Sequence, residues 1–234
     1  NFRLAKKDLL VVFLLSLLRA TTSFSLLIAY QNIATGVAST IHFMYPLAVS
    51  LAMMFFFHEK KSLLVMLAVL MSLFGAALLS SGELEAKSGD TIVGLVAACI
   101  SVFSYGGYII GVRTTRAAQI NSTVLTCYVM GMGAVFYLIG AMATSGLHLV
   151  TDGYIWLIIL GLALPATAIS NITLVRAIKY AGPTLTSILG AMEPLTAVVI
   201  GVFVFKELFT LNSVIGILLI LLAVGMVVFR QQKS

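Results

Sequence analysis

Charge is what this sequence has least of. Only 9% of its 234 residues are Asp, Glu, Lys or Arg, where a soluble domain of that length carries about a quarter. Too few polar residues remain to clothe a water-exposed core, and a mean hydropathy of +1.12 fits a surface that faces lipid. Cysteine is almost absent. Cys99 and Cys127 both lie inside apolar runs with no second ligand in sequence reach, so they are expected to be reduced, buried packing residues rather than a disulfide or metal pair. The three histidines, His42, His58 and His148, are far apart, and no Asp falls inside an apolar run. That excludes a clustered metal site and a paired-aspartate intramembrane enzyme, and no cofactor is expected. The net charge of +6 comes from basic residues scattered singly or in pairs. Without a basic stripe interleaved with aromatics, nucleic acid is excluded as a partner. The chain opens on Asn1-Phe2-Arg3, without a methionine or a signal-peptide pattern.

What is abundant is long apolar sequence. A helix needs about 20 apolar residues to cross the hydrocarbon core, and it must satisfy its backbone internally. Runs between polar punctuation predict eight such helices, over 8–30, 34–57, 62–81, 91–112, 121–144, 153–178, 182–205 and 211–229. The expected fold is therefore an all-α, multi-pass membrane bundle with lipid as its surroundings. Of the 14 basic residues, eleven fall on one side of this arrangement: Arg3, Lys6, Lys7, Lys60, Lys61, Arg113, Arg116, Arg176, Lys179, Arg230 and Lys233. Only Lys87 and Lys206 fall on the other, and Arg19 lies within a helix. Positive charge marks the cytoplasmic side, so the C-terminus is expected there and the acidic loop of Glu83, Glu85 and Asp90 outside.

An internal repeat underlies the pattern. Leu26–Leu63 aligns without gaps onto Leu174–Leu211 at a constant offset of 148, with ten identities in 38 positions. Leu and Phe matches are weak in so apolar a chain. The match of Pro46 to Pro194 is not, because there are four prolines in all, and Glu59 matches Glu207 among only eight acids. Between matching helices the count advances by five, an odd number, so the second copy crosses the membrane in the opposite sense. This is the inverted-repeat design of many secondary transporters. The offset predicts that 1–81 holds the last three helices of a first copy and 91–234 all five of a second. That makes eight helices of a ten-helix, five-plus-five arrangement, with the start of the chain read as a cut edge.

The residues that carry the repeat also resemble a known family. Ala34-Thr-Gly-Val-Ala-Ser-Thr, Tyr45-Pro46-Leu47 and His58-Glu59-Lys60-Lys61 resemble the fourth-helix signature of the drug/metabolite transporter superfamily, EamA type. Ala177-Ile-Lys179-Tyr-Ala-Gly182, Glu193-Pro194-Leu195 and Lys206-Glu207-Leu208 resemble it again, and Gly216 and Gly225 fit the family's last helix. The resemblance implies a ten-helix exporter of small metabolites in the cytoplasmic membrane, with both termini cytoplasmic. Relatives handle amino acids, purines and drugs, so it does not choose a substrate.

Charges at membrane depth are costly and mark candidate sites. Arg19 and Glu193 sit midway along their helices and are expected either to line an aqueous cavity or to pair with each other; Glu193 is also the candidate for proton coupling. Pro46 and Pro194 each remove an amide donor and release the carbonyl four residues back, that of His42 or Gly190, so both are candidate kinks or hinges. His42 and Tyr45 share a helix face. Tyr105, Tyr108 and Ser104 in one helix, and Ser170 and Asn171 in another, complete the polar set. Together they suit a zwitterionic or amphipathic small molecule. Each of those five taken alone reads more often as an interhelical hydrogen-bond partner than as a site residue. Tyr30, Tyr154 and Trp156 are expected as interfacial anchors, and Glu59 and Glu207 as terminal charge anchors. Gly107, Gly111, Gly131 and Gly133 allow close helix approach, within the chain or in a homodimer. A channel or a non-transporting scaffold is the alternative function.

Overall fold

The computed structural model describes residues 4–59, 62–80, 89–143, 151–190 and 210–231, together with 192–194, 196, 200 and 203. The secondary structure among them is helical: α1 (Leu9–Asn32), α2 (Thr35–His42), α3 (Tyr45–Phe56), α4 (Leu63–Ser80), α5 (Thr91–Thr114), α6 (Ser122–Ala143), α7 (Gly153–Gly161), a π-helical segment (Leu162–Ile169), α8 (Ser170–Ala181), α9 (Pro183–Leu189) and α10 (Leu211–Gln231). Among the described residues, five stretches are long and apolar enough to cross a bilayer: Lys6–Asn32, Val37–Phe56, Thr91–Thr114, Ser122–Met142 and Gly153–Ala181. Leu63–Leu78 and Val214–Met226 are shorter apolar helices. Seven of the eight expected runs are thus helical among the described residues. The eighth, 182–205, opens as α9, and much of the rest lies outside them, as do Glu207, Lys206, Glu83, Glu85 and His148. The protein is an all-α, integral, multi-pass membrane protein.

Its outer surface explains the composition. Leu63, Phe56 and Ile92 are among many large apolar side chains left mostly exposed, and none of the residues of α7 or of the π segment is buried. Each such side chain would cost about 1.5–3 kcal/mol if held in water, and lipid removes that cost. Cys99 and Cys127 follow the same logic and correct the sequence expectation: both are free thiols, but both are exposed. They sit on outward helix faces, which an apolar environment allows as readily as a core does.

Contacts divide the chain into two units, one of 1–20 and 111–182, the other of 21–110 and 183–234. In the first, α6 packs on α8, Phe13 meets Phe136 edge-on at 5.7 Å, and Gly111 lets Leu15 approach its backbone. In the second, α4 lies along α10, and α9 packs against α3. Small residues dominate its interior: Ala29, Ala38, Ala97 and Ala98 form one cluster with Ile33. Apolar side chains gain nothing by leaving lipid for protein, so close approach over small residues drives helix association. At Gly75 an added Cβ would stand 2.8 Å from the Gly216 carbonyl oxygen and 2.8 Å from Ile220 Cγ1. Gly131 and Gly133 behave otherwise, for nothing described lies within 4 Å of either added Cβ.

Several hydroxyls inside these helices satisfy themselves locally. Ser16 donates to the Val12 carbonyl at 2.7 Å, Ser25 to Thr21 at 2.7 Å and Ser72 to Val69 at 2.9 Å. Without water to accept them, unpaired donors would cost several kcal/mol each, so back-bonding within the helix is the cheapest solution. Two prolines shape the first unit's edge and the turn after it. Pro165 lies inside the π segment, where its missing N–H leaves no i→i−4 bond to make. Gly182, at φ 88°, closes α8 in a conformation that a side chain would strain, and Pro183 starts α9 where a lost N–H has no acceptor anyway.

Candidate functional site

The run expected to be one kinked helix over 34–57 is two helices. α2 ends at His42, Phe43 and Met44 form a turn, and α3 begins at Tyr45 with Pro46 in its first turn. Pro46 therefore breaks the helix instead of bending it. A proline in the first turn loses nothing, since those N–H groups have no intrahelical partner. The turn closes through Phe43 N–H on the Ser39 carbonyl and Met44 N–H on Ile41, both at 2.9 Å. A second break lies close to the position 148 residues further on. α9 ends at Leu189, Gly190 is a turn residue, and 192–194 are helical again, with Glu193 N–H donating to the Gly190 carbonyl at 3.0 Å.

The two breaks meet inside the second unit. A Cβ added at Gly190 would stand 1.7 Å from Tyr45 Oη and 3.0 Å from Tyr45 Cζ. Only glycine lets the ring lie that close, and Tyr45 itself is 1% exposed. Around it the sequence candidates assemble. His42 and Tyr45 have ring centroids 5.6 Å apart, His42 and Tyr105 5.4 Å, and Tyr45 and Tyr105 4.7 Å in an edge-on pair. Tyr105 stacks on Tyr108 at 6.4 Å, and Tyr108 is fully buried. Pro46 and Pro194 are buried. Glu193 is exposed on its helix.

Reading the sequence had not singled out one residue of this cluster. Ser101 Oγ lies 2.9 Å from His42 Nδ1 and also donates to the Ala98 carbonyl at 2.6 Å; a hydroxyl one turn before Ser104 gives no sequence signal of its own. Ser104 instead bonds the Ile100 carbonyl at 2.5 Å. Gly190 was marked in the sequence only for its carbonyl, and the structure adds its missing side chain as what admits Tyr45.

Arg19 and Asn171 come together in the first unit. Arg19 Nη2 donates to Asn171 Oδ1 at 3.5 Å, and Asn171, 4% exposed, donates its own amide to the Thr167 carbonyl at 2.7 Å. Ser170 is exposed and bonds the Ala166 carbonyl at 2.5 Å. Arg19 and Glu193 belong to different units. Of the terminal acids, Glu59 accepts a 2.6 Å hydrogen bond from Thr184 at the start of α9. Tyr30 packs on the alanine cluster and bonds Ser39 at 3.2 Å, whereas Tyr154 and Trp156 are exposed, as interfacial anchors would be. Among the described residues no group of three His, Cys, Asp or Glu side chains is placed to hold a metal.

Polar side chains gathered where membrane helices break, beneath a lipid-facing surface, define the class: a polytopic membrane protein with an internal polar site. Comparison with known proteins sharpens this. The profile of the EamA-like transporter family matches residues 92–229. A solved crystal structure shares the fold at TM-score 0.82 and 18% identity, covering 100% of this chain and 80% of its own. It is one of 27 matching chains among solved structures. No curated protein matches the sequence. The chain belongs to the EamA-like transporter family, and it is a membrane transporter of small molecules.

Proposed function

We propose that this protein is a secondary transporter that exports a small zwitterionic or amphipathic metabolite across the cytoplasmic membrane by alternating access, with its C-terminus in the cytoplasm. The observation that carries this reading is the meeting of two broken helices at Tyr45 and Gly190. Non-helical backbone at membrane depth is tolerated where it is buried in protein or lines a cavity, and transporters bind substrate and coupling ions at such breaks. At the repeat offset of 148, the turn residue Gly190 matches His42, the residue just before the turn at 43–44. That supports reading 1–81 and 91–234 as two copies of one inverted design. In the second unit, His42, Tyr45, Tyr105 and Tyr108 supply aromatic walls with hydroxyl and imidazole groups. In the first, Arg19, held by Asn171, supplies a cation for a carboxylate. Glu193 is the proton-coupling group.

Purified protein in proteoliposomes is to be screened with labelled metabolites for counterflow. A carrier gives saturable uptake and counterflow; flux that rises without saturation would identify a channel, and no flux with any compound a scaffold. With a substrate in hand, Glu193→Gln is expected to flatten the pH dependence of transport while leaving counterflow intact. An unchanged pH profile in that variant would sink the coupling role.

A further inference from the structure

The first unit contains a cavity that the candidate site does not use. It has a volume of about 500 Å³ and is lined by Arg113, Arg176, Lys179, Asn121, Ser122 and Tyr180, among others. Three of its lining residues are cations and none is an acid. Arg113 is in the last turn of α5, and Lys179 is in the last turn of α8. Arg176, three residues before Lys179, shares its helix face. Asn121 and Ser122 lie at the start of α6, where Asn121 Oδ1 accepts from the Thr123 N–H at 2.9 Å.

Two of the three cations, Arg113 and Lys179, are held on main-chain oxygens. Arg113 Nη1 donates to the Lys179 carbonyl at 2.5 Å, and Lys179 Nζ donates to the Ile120 carbonyl. Both bonds end on main-chain oxygens, so the positive charge stays in place around the cavity. A basic residue that serves only to set topology needs no such fixation, because hydration suffices. Tyr180 is 89% exposed beside this cavity. Tyrosine in that setting marks the level of the lipid headgroups.

We propose that this cavity is a binding site for a phosphate-bearing anion on the positively charged side of the membrane, either the phosphodiester of an anionic lipid headgroup or a soluble phosphate. Arginine forks and the lysine ammonium match phosphate oxygens, basic pockets between transmembrane helices hold anionic headgroups, and the volume suits a group of headgroup size. The site is separate from the transport reading: none of the residues that line it is a candidate for substrate or proton binding.

The test compares Arg176→Gln, which removes an exposed cation from the cavity, with Arg116→Gln, an exposed cation nearby in sequence that does not line it. Intact protein in detergent is titrated with short-chain phosphatidylglycerol, with phosphatidylcholine and, separately, with inorganic phosphate, following thermal stabilisation. The proposal expects phosphatidylglycerol or phosphate, but not phosphatidylcholine, to stabilise the wild type. It expects Arg176→Gln to bind the effective anion about tenfold more weakly, beyond the roughly fivefold that one surface cation contributes. Arg116→Gln is expected to weaken binding by no more than that roughly fivefold. Stabilisation by phosphatidylglycerol alone identifies the lipid as the source, and stabilisation by inorganic phosphate as well identifies a soluble one. Equal weakening in both variants, weakening in neither, or no stabilisation of the wild type by either anion would overturn the site.

Discussion

Gly190→Ala is the sharpest single test of how the two broken helices meet. The new methyl would stand 1.7 Å from Tyr45 Oη, where ordinary contact begins at 3.4 Å, so hydroxyl and methyl must separate by a further 1.7 Å. The ring has little freedom to yield. Tyr45 is 1% exposed, lies edge-on to Tyr105 at 4.7 Å and is 5.6 Å from the His42 ring. Overpacking of this kind costs about 1–3 kcal/mol, which for a chain of this size lowers the unfolding temperature by about 2–12 °C. Deleting the clashing atom should reverse most of the loss. In Gly190→Ala/Tyr45→Phe the closest contacts become Tyr45 Cζ and the Ser187 carbonyl oxygen, each at 3.0 Å, which a shift of a few tenths of an ångström relieves. The double variant is therefore expected to recover more than half of the lost stability, a coupling of about 1 kcal/mol. Thermal unfolding of all four proteins in detergent, read as loss of the monodisperse peak, measures it. If Gly190→Ala unfolds at the wild-type temperature, or if Tyr45→Phe rescues nothing, the two breaks do not touch as described.

Gly75→Ala tests the α4–α10 contact by the opposite logic. Its methyl would meet the main-chain carbonyl of Gly216 as well as Ile220, so a loss of about 1–3 kcal/mol should persist in Gly75→Ala/Ile220→Val; full rescue by the smaller side chain would place the constraint on Ile220 alone. In the first unit, Asn171→Leu removes the acceptor for Arg19 and is expected to destabilise by about 1–3 kcal/mol. Asn171→Asp keeps the acceptor and adds a countercharge but loses the donor to the Thr167 carbonyl, so it should fall between Asn171→Leu and wild type. Equal unfolding temperatures for Asn171→Leu and wild type would show that the Arg19 contact contributes nothing.

The helices were legible because the bilayer imposes one rule on every segment: enough apolar residues, all backbone groups bonded within. That rule says nothing of which face turns inward. Cys99 and Cys127 look like core residues by hydrophobicity, yet both are exposed, since lipid and protein interior are nearly equivalent solvents for a thiol. Gly131 and Gly133 read as close-packing sites for the same reason and meet nothing described. Proline was half legible. A lost N–H at Pro46 had to disturb the helix, but whether a helix bends or restarts depends on the turn residues Phe43 and Met44, which carry no breaker signature of their own.

The site was legible as a set of residue types and not as an arrangement. His42, Tyr45, Tyr105 and Tyr108 stood out as polar aromatics at membrane depth, and the structure puts them into one cluster. What brings them there is a residue with no side chain. At the repeat offset of 148, Gly190 is the counterpart of His42, and Glu193 is the counterpart of Tyr45. On the proposed two-copy reading, each copy places a different residue at the same point: a ring where the other has nothing, and a phenol where the other has a carboxylate. Tyr45 fills the space that Gly190 leaves. An exact repeat would put two rings in one place or two empty spaces, so the divergence of the copies at these four positions is what allows the breaks to pack. The identities at Pro46 and Pro194 reveal the repeat, and the differences beside them build the site.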